Sequence, residues 1–297
     1  MNGGDSLAHH ITGKGRLVGL LGSPIKHSLS PQMHNLAFSH MGLPYAYIAF
    51  DANESNLEEI VKAMRALNVV GFNVTMPNKQ SIIPLLDEVS PEAEWIGAVN
   101  TVHNDNGRLI GYNTDGKGYV QSLIEASIEF KDRKVTILGA GGSCRAIAIQ
   151  LAIEGVREIE IINRHVSKAS DIKNIINKKI PSCLVYANEL SDSSLINSLR
   201  DSDILINTTS IGMEPNEDTS IIVDPRAFRR DLVVSDIIYK PSRTKLLKMA
   251  EASGCRTING FGMMIWQGAL AFKIWTGYDM PTELVKDKFL SSMSTGQ

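Results

Sequence analysis

An α/β fold in two parts, the second built on a doubly wound parallel sheet, is predicted by three features of the sequence. Strand-like and helix-like segments alternate along most of the 297 residues, the pattern of a parallel sheet covered on both faces. The stretch "VTILGAGGSCRA" sets glycines at 139, 141 and 142 between a strand and a helix. About twenty residues further on, after the strand "EIEII", comes the charged loop "NRHVSK" at 163–168. A chain of this length fits one large domain or two ordinary ones.

The start, "MNGGDSLAHHITGKG", lacks the apolar core of a signal peptide and reads as a loose tail over 1–15, with His9 and His10 solvated. "RLVGLLG" is a buried strand. "SPQMHNLAFSHMG" is a helix with Ser30 as cap, Pro31 in the first turn and Gly42 past the end. "YAYIAFD" is the next strand. Ser55 and Glu58 have capping-box spacing ahead of a helix whose Leu57, Ile60, Val61, Met64 and Leu67 share a face. "GFNVTM" (71–76) is a strand, and "AVNTVHNDNGRLIGYN" a hairpin turning at Asn106-Gly107. After "NTDGKG" a connecting helix leads to the glycine turn, an apolar helix and "EIEIINR". "DILINTT" and "DLVVSDIIY" continue the strands, and "GFGMMIWQGALAFKIWTG" closes as a helix.

Apolar residues make up 43% and charged residues 21%, a globular balance, and the net charge of −2 gives no reason to expect nucleic acid or an anionic membrane. No run has the roughly 18 apolar residues of a membrane span. Cys144, Cys183 and Cys255 are odd in number and far apart, which suits a reducing cytoplasm rather than disulfides or a zinc site.

Gly139 permits a tight turn, and Gly141 lets a pyrophosphate approach the backbone. The helix behind them offers free N–H groups and a positive dipole end. A full GxGxxG would want glycine where Cys144 stands, so the pattern gains weight from its strand–turn–helix context. In "NRHVSK" no acidic side chain awaits the adenine ribose. Asn163 can bond a hydroxyl, Arg164 can clamp a phosphate or stack on adenine, and Lys168 adds a point charge. The loop should accept NADP, and nothing in it repels NAD. A plain charged loop is the bland alternative.

In the first half, Ser28 and Ser30 have a spacing that could grip a carboxylate, or could merely form a turn and a cap. Asn73, Thr75, Asn78 and Lys79 cluster at a strand end. A lysine fixed there can exchange protons, although most lysines are surface groups. "GAVNT" and "GYNTDGKG" bring Asn100 and Asp115, the latter at the junction between the halves, where a ligand crevice is expected. Asp115 could equally cap the connecting helix.

"HSLSP", "NVTMPNK", "GAVNT", "YNTDGKG", "GAGGSCRA", "NRHVSK" and "NGFGMMIWQG", in this order, resemble the shikimate dehydrogenase family over residues 16 to 290. "TMPNKQ", "IIYKPSRTKLL" and "WQGALAFKIWTGYDMP" resemble its quinate/shikimate branch, which can use quinate as well as shikimate and NAD as well as NADP. The resemblance implies a substrate domain over 16–117 and 262–297, to which the C-terminal helices return, and a Rossmann-like NAD(P) domain over 118–261. It implies reversible reduction of 3-dehydroshikimate to shikimate on the route to chorismate and aromatic amino acids. Ser28 and Ser30 would hold the substrate carboxylate. Thr75, Asn100 and Gln267 would bind ring hydroxyls, with Tyr239 nearby, and Lys79 and Asp115 would be the catalytic pair. The backbone of Gly139, Ala140, Gly141, Gly142 and Ser143 would cradle the pyrophosphate. Asn163, Arg164 and Lys168 would meet the adenosine end, and Ile237 and Gly260 would line the nicotinamide site.

Two departures leave NAD and quinate open: His165 stands where NADP-linked members usually carry Thr, and Asn78 where biosynthetic members commonly carry an aromatic residue. The expected partner is a hydroxylated cyclohexene or cyclohexane carboxylate, with a homodimer also open. Two rivals stay in view: another two-domain NAD(P) dehydrogenase, and a non-catalytic relative that senses shikimate or quinate. No HExxH, Walker GxxxxGK[ST] or GxSxG motif occurs.

Overall fold

A computed structural model describes the backbone of residues 12–294 and the side chains of residues 12–291. The expectations for residues 1–11, including His9 and His10, lie outside the described residues. Thr12 to Gly15 form a turn, in which Gly15 N–H donates to Thr12 O at 2.8 Å. Among the described residues the chain divides into two compact units, cut at Thr114/Asp115 and at Trp266/Gln267.

The first unit carries a mixed sheet of six strands: β1 (Arg16–Gly22), β2 (Tyr45–Asp51), β3 (Gly71–Val74), β4 (Glu88–Val89), β5 (Thr101–Asp105) and β6 (Arg108–Tyr112). Their order is β2-β1-β3-β5-β6-β4, with β1, β2 and β3 parallel and β5 antiparallel to its neighbours β3 and β6. The hairpin turns as expected: Asn106 and Gly107 both have positive φ, 52° and 94°, the pair of left-handed residues that a type I′ turn needs. Helices α1 (Ser30–His40), α2 (Leu57–Ala66) and α3 (Pro91–Ile96) lie between these strands in sequence.

Three local expectations change. Ser30 does not cap α1; Ser28 Oγ accepts the Ser30 N–H at 3.2 Å, so the serine two residues earlier takes up an orphan amide. The Ser55–Glu58 capping box does not form. Asn56 stands at the cap, and Asn53 Oδ1 takes both the N–H and the hydroxyl of Ser55, so an Asx turn wins over the box. Leu57, Val61 and Met64 are buried on α2 as expected, but Leu67 lies past its last turn and is 71% exposed.

The second unit holds six parallel strands: β7 (Lys134–Leu138), β8 (Glu158–Asn163), β9 (Leu184–Glu189), β10 (Ile204–Asn207), β11 (Val233–Asp236) and β12 (Arg256–Ile258). Their order β9-β8-β7-β10-β11-β12 is the 3-2-1-4-5-6 order of a Rossmann sheet, with the switch point between β7 and β10. Its helices are α4 (Asp115–Glu125), α5 (Gly142–Ile153), α6 (Val166–Lys179), α7 (Asp192–Leu199) and α8 (Lys245–Ala252). At the start of β7, Lys134 Nζ meets Asp201 at 2.8 Å, Glu158 at 3.2 Å and Glu160 at 3.4 Å. Burial opposes its charge, but these carboxylates outweigh burial and push its pKa up.

α9 (Phe261–Thr276) and α10 (Thr282–Ser294) end the chain. From Gln267 onward α9 belongs to the first unit. Its Trp275 Nε1 donates to Val102 O at 2.9 Å beside Gly71, where a Cβ would collide with the indole. Gly268 rests on Met33 and His34 of α1, with room for no side chain.

Candidate active site

The polar groups of the first unit gather where parallel strands β1 and β3 end. Leu21 pairs with Val74, so the two chains leave the sheet together. Thr75 N–H donates to Leu21 O at 2.9 Å, and Ser23 N–H to Met76 O at 3.0 Å, which stitches the two exit loops. Gly22 has no Cβ because Thr75 Cγ2 fills that place. Asn78 is fully buried and donates through Nδ2 to Ala52 O at 2.7 Å. Lys79 O accepts Val99 N–H at 2.8 Å, and Asn100 O accepts Val74 N–H at 2.8 Å. Thr75, Lys79 and Asn100 are thereby brought together at one end of the inner strands.

Ser28 and Ser30 stand at the start of α1, one turn before His34, the residue that Gly268 packs against. Gln267 therefore sits on the turn of α9 that meets α1. Ser30 also hydrogen-bonds Tyr47, whose hydroxyl donates to Asn73 Oδ1 at 2.8 Å. Burial drives the Tyr47 pKa up, with the Ser30 bond opposing it. Asp115 opens α4, next in the chain to Thr114, whose N–H donates to Asn100 Oδ1 at 2.8 Å. The polar ladder of Tyr47, Asn73, Thr101 and Thr114 was missed as a unit by sequence reasoning. The polar residues in "NVT" and "VNT" were the available signal.

In the second unit the glycine turn leaves β7 at the switch point. Gly139 has φ +102°, and a Cβ there would press on Thr208 and Thr209. Gly141 caps α5 without a side chain, and at Gly141 and Gly142 a Cβ would meet nothing within 4 Å. Here is an open cradle of backbone at a helix N-terminus, the form a pyrophosphate site takes. Ala140 and Ser143 are partly exposed beside it. Cys144 replaces the third glycine as a buried residue of α5, and burial pushes its thiol up to about 12.

The loop after β8 is shaped by Asn163, whose Nδ2 donates to His165 O at 2.9 Å. Arg164 and Lys168 are exposed at the start of α6. At the end of β11, the fully buried Asp236 accepts from Thr244 Oγ1 at 2.8 Å, Asn207 Nδ2 at 3.1 Å and Ile238 N–H at 3.1 Å. Burial raises its pKa against the pull of those donors. It fixes the loop of Ile237 and Tyr239. A Cβ at Gly260 would run into Ile237 O, so these two predicted residues touch. Tyr239 is 37% exposed.

A Rossmann unit with an open glycine cradle, paired with an α/β unit that collects hydroxyl, amide and amine groups at its strand ends, defines a two-domain oxidoreductase of the nicotinamide-dinucleotide class. The shikimate dehydrogenase substrate binding domain matches residues 20–102, the shikimate/quinate 5-dehydrogenase family residues 121–234, and the shikimate 5'-dehydrogenase C-terminal domain residues 260–288. Shikimate dehydrogenase (NADP(+)) of Alkaliphilus metalliredigens is 57% identical over 281 residues, which span 95% of this chain and 98% of the relative. The chain belongs to the shikimate dehydrogenase family. Shikimate 5-dehydrogenase of Listeria monocytogenes, crystallised with shikimate and NAD, superposes with a TM-score of 0.92 at 46% identity, over 94% of this chain and 98% of that one. Quinate dehydrogenase of Corynebacterium glutamicum, in complex with NAD, gives a TM-score of 0.86 at 32% identity, over 93% and 99%. No helix among the described residues is long and apolar enough to cross a membrane.

Proposed function

We propose that the chain catalyses the reversible, NAD(P)-linked interconversion of 3-dehydroshikimate and shikimate. The observation that carries this reading is the convergence of Thr75, Lys79 and Asn100 on the joined ends of β1 and β3, in a chain of this family. Gly139 to Ser143 would hold the pyrophosphate, Asn163, Arg164 and Lys168 the adenosine end, and Ile237 and Gly260 the nicotinamide. The nicotinamide, when bound, supplies or accepts the hydride.

Ser28 and Ser30 bind the substrate carboxylate. Thr75, Asn100 and Gln267 bind ring hydroxyls, with Tyr239 nearby. Together they hold the reacting carbon in register. In reduction, Lys79 donates a proton to the developing alkoxide. In oxidation it takes the hydroxyl proton, directly or through water, while Asp115 orients the lysine and the hydroxyl. The three cysteines are buried and unpaired, which suits a reducing cytoplasm.

The test is a two-by-two matrix of kcat/KM for shikimate and quinate, each with NAD and NADP, followed at the absorbance of the reduced nicotinamide. Turnover of shikimate is the expected result. Ligand binding without turnover in all four pairings would point to a sensor instead.

A further inference from the structure

From edge strand β2 inward to β5, the first sheet holds a run of buried polar side chains. Tyr47 on β2, Asn73 on β3 and Thr101 on β5 are 2%, 5% and 0% exposed, and Asn100 beside them is 2% exposed. Buried polar groups are costly unless paired, and these pair with one another. Asn73 and Thr101 are direct partners across the antiparallel ladder.

The donors and acceptors can be followed from the Tyr47 hydroxyl inward, down to the Thr101 and Thr114 hydroxyls, 3.3 Å apart, either of which can donate to the other. Tyr47 gives its hydroxyl proton to Asn73 Oδ1 at 2.8 Å, which fixes Nδ2 as the other end of that amide. Asn73 Nδ2 donates to Thr101 Oγ1 at 3.0 Å and to Asn100 O at 3.1 Å. Having accepted there, Thr101 donates its own proton to Asn100 Oδ1 at 3.0 Å. Thr114 N–H reaches the same oxygen at 2.8 Å. The Asn100 carbonyl oxygen is thus engaged from within the sheet. Nδ2 donates to Thr114 Oγ1 at 3.0 Å.

We infer that Thr101, held by Asn73, is a positioning residue that fixes the orientation of the Asn100 amide, so that Asn100 meets a substrate ring hydroxyl as donor only. This rests on the reading of Asn100 as a hydroxyl-binding residue. It adds a selection rule: the ring substituent facing Asn100 must accept a hydrogen bond.

The experiment compares Thr101→Val, Thr101→Ser, Asn100→Ala and the double variant Thr101→Val/Asn100→Ala by steady-state kinetics, with thermal melting as a check on folding. Valine keeps the shape and removes the hydroxyl; serine restores the hydroxyl. Thr101→Val is expected to raise KM for shikimate about tenfold, the scale of one lost buried hydrogen bond to a binding group. KM for NADP stays within about twofold of the parent, because the change leaves the dinucleotide unit untouched. Thr101→Ser restores the parent KM, and the double variant is no worse than Asn100→Ala alone. Thr101→Ala repeats the deletion with a smaller side chain if the valine variant melts below the assay temperature. An Asn100→Ala protein with parent kinetics refutes the hydroxyl-binding reading of Asn100 itself. A damaged Asn100→Ala protein beside an undamaged Thr101→Val protein refutes the positioning role alone. So does a Thr101→Val penalty that adds in full to that of Asn100→Ala.

Discussion

Asn78 and Lys79 are neighbours with different work. Asn78 is buried and ties its loop to Ala52, so the residue that departs from the biosynthetic pattern acts here as an anchor. Lys79 has its backbone held by Val99, whose N–H donates to Lys79 O at 2.8 Å, an anchor that a side-chain substitution leaves in place. Lys79→Ala is therefore expected to fold and to lose roughly 10²–10⁴ in kcat for shikimate oxidation. A raised KM at parent kcat would instead make the lysine a binding group. At this scale the sequence was most informative where geometry leaves one choice of residue. Gly139 needs positive φ, and Gly260 touches Ile237 O. It was least informative where side chains compete for the same amide. Whether Ser28 or Ser30 takes the orphan N–H of α1 depends on loop geometry that no spacing encodes.

Among elements, the β8–α6 connection carries the cofactor question. Its backbone is set by Asn163 bonding back to His165 O, which leaves Arg164 exposed at the helix start. Arg164→Ala is expected to raise KM for NADP roughly tenfold or more, the scale of a charge-assisted phosphate contact, and to leave KM for NAD nearly unchanged. Equal effects on both cofactors would show that the arginine stacks on adenine and does not read the phosphate. The strands and hairpin were legible because Asn106-Gly107 and the apolar runs are strong local signals. The start of α2 was not, because Asn53 and Asn56 outcompete the Ser55–Glu58 box for the same groups. The polar ladder escaped notice for a further reason: Tyr47 and Asn73 lie in separate strands, and only the sheet order brings them together.

For the molecule as a whole, two buried ionisable groups pull the two units in opposite directions with pH. His34, stacked on Tyr47 at 4.4 Å and fully buried, has neither ring nitrogen paired among the described residues. Burial pushes its pKa down to about 3 from 6.5. Its stabilising contribution is present above pH 6.5 and is lost as pH falls toward 3, roughly 2 kcal/mol of it by pH 5. Asp236 in the second unit has a raised pKa, so its contribution is full below 3.8 and is lost as pH climbs through the raised value. His34→Phe keeps a ring in the stack and removes the titration. Scanning calorimetry at pH 8 and pH 5 is expected to show a smaller acid-side fall in Tm for His34→Phe than for the parent. An equal fall in both proteins would mean that His34 is not the acid-sensitive group.

Trp275, seated against Gly71 and bonded to Val102 O, also sets an order on vectorial synthesis. The second unit is one continuous run, 115–266, and every strand of its sheet is in hand once that run has left the ribosome. The first unit has its six strands by Tyr112 yet lacks Phe272 and Trp275 until α9 has been made, after the whole of the second unit. Its apolar floor around His34 and Phe38 must wait, uncovered, through the emergence of the whole inserted unit. Nascent chains stalled before Phe272 should for that reason engage holdase chaperones through the strands and helices of the first unit, and release them once α9 is complete.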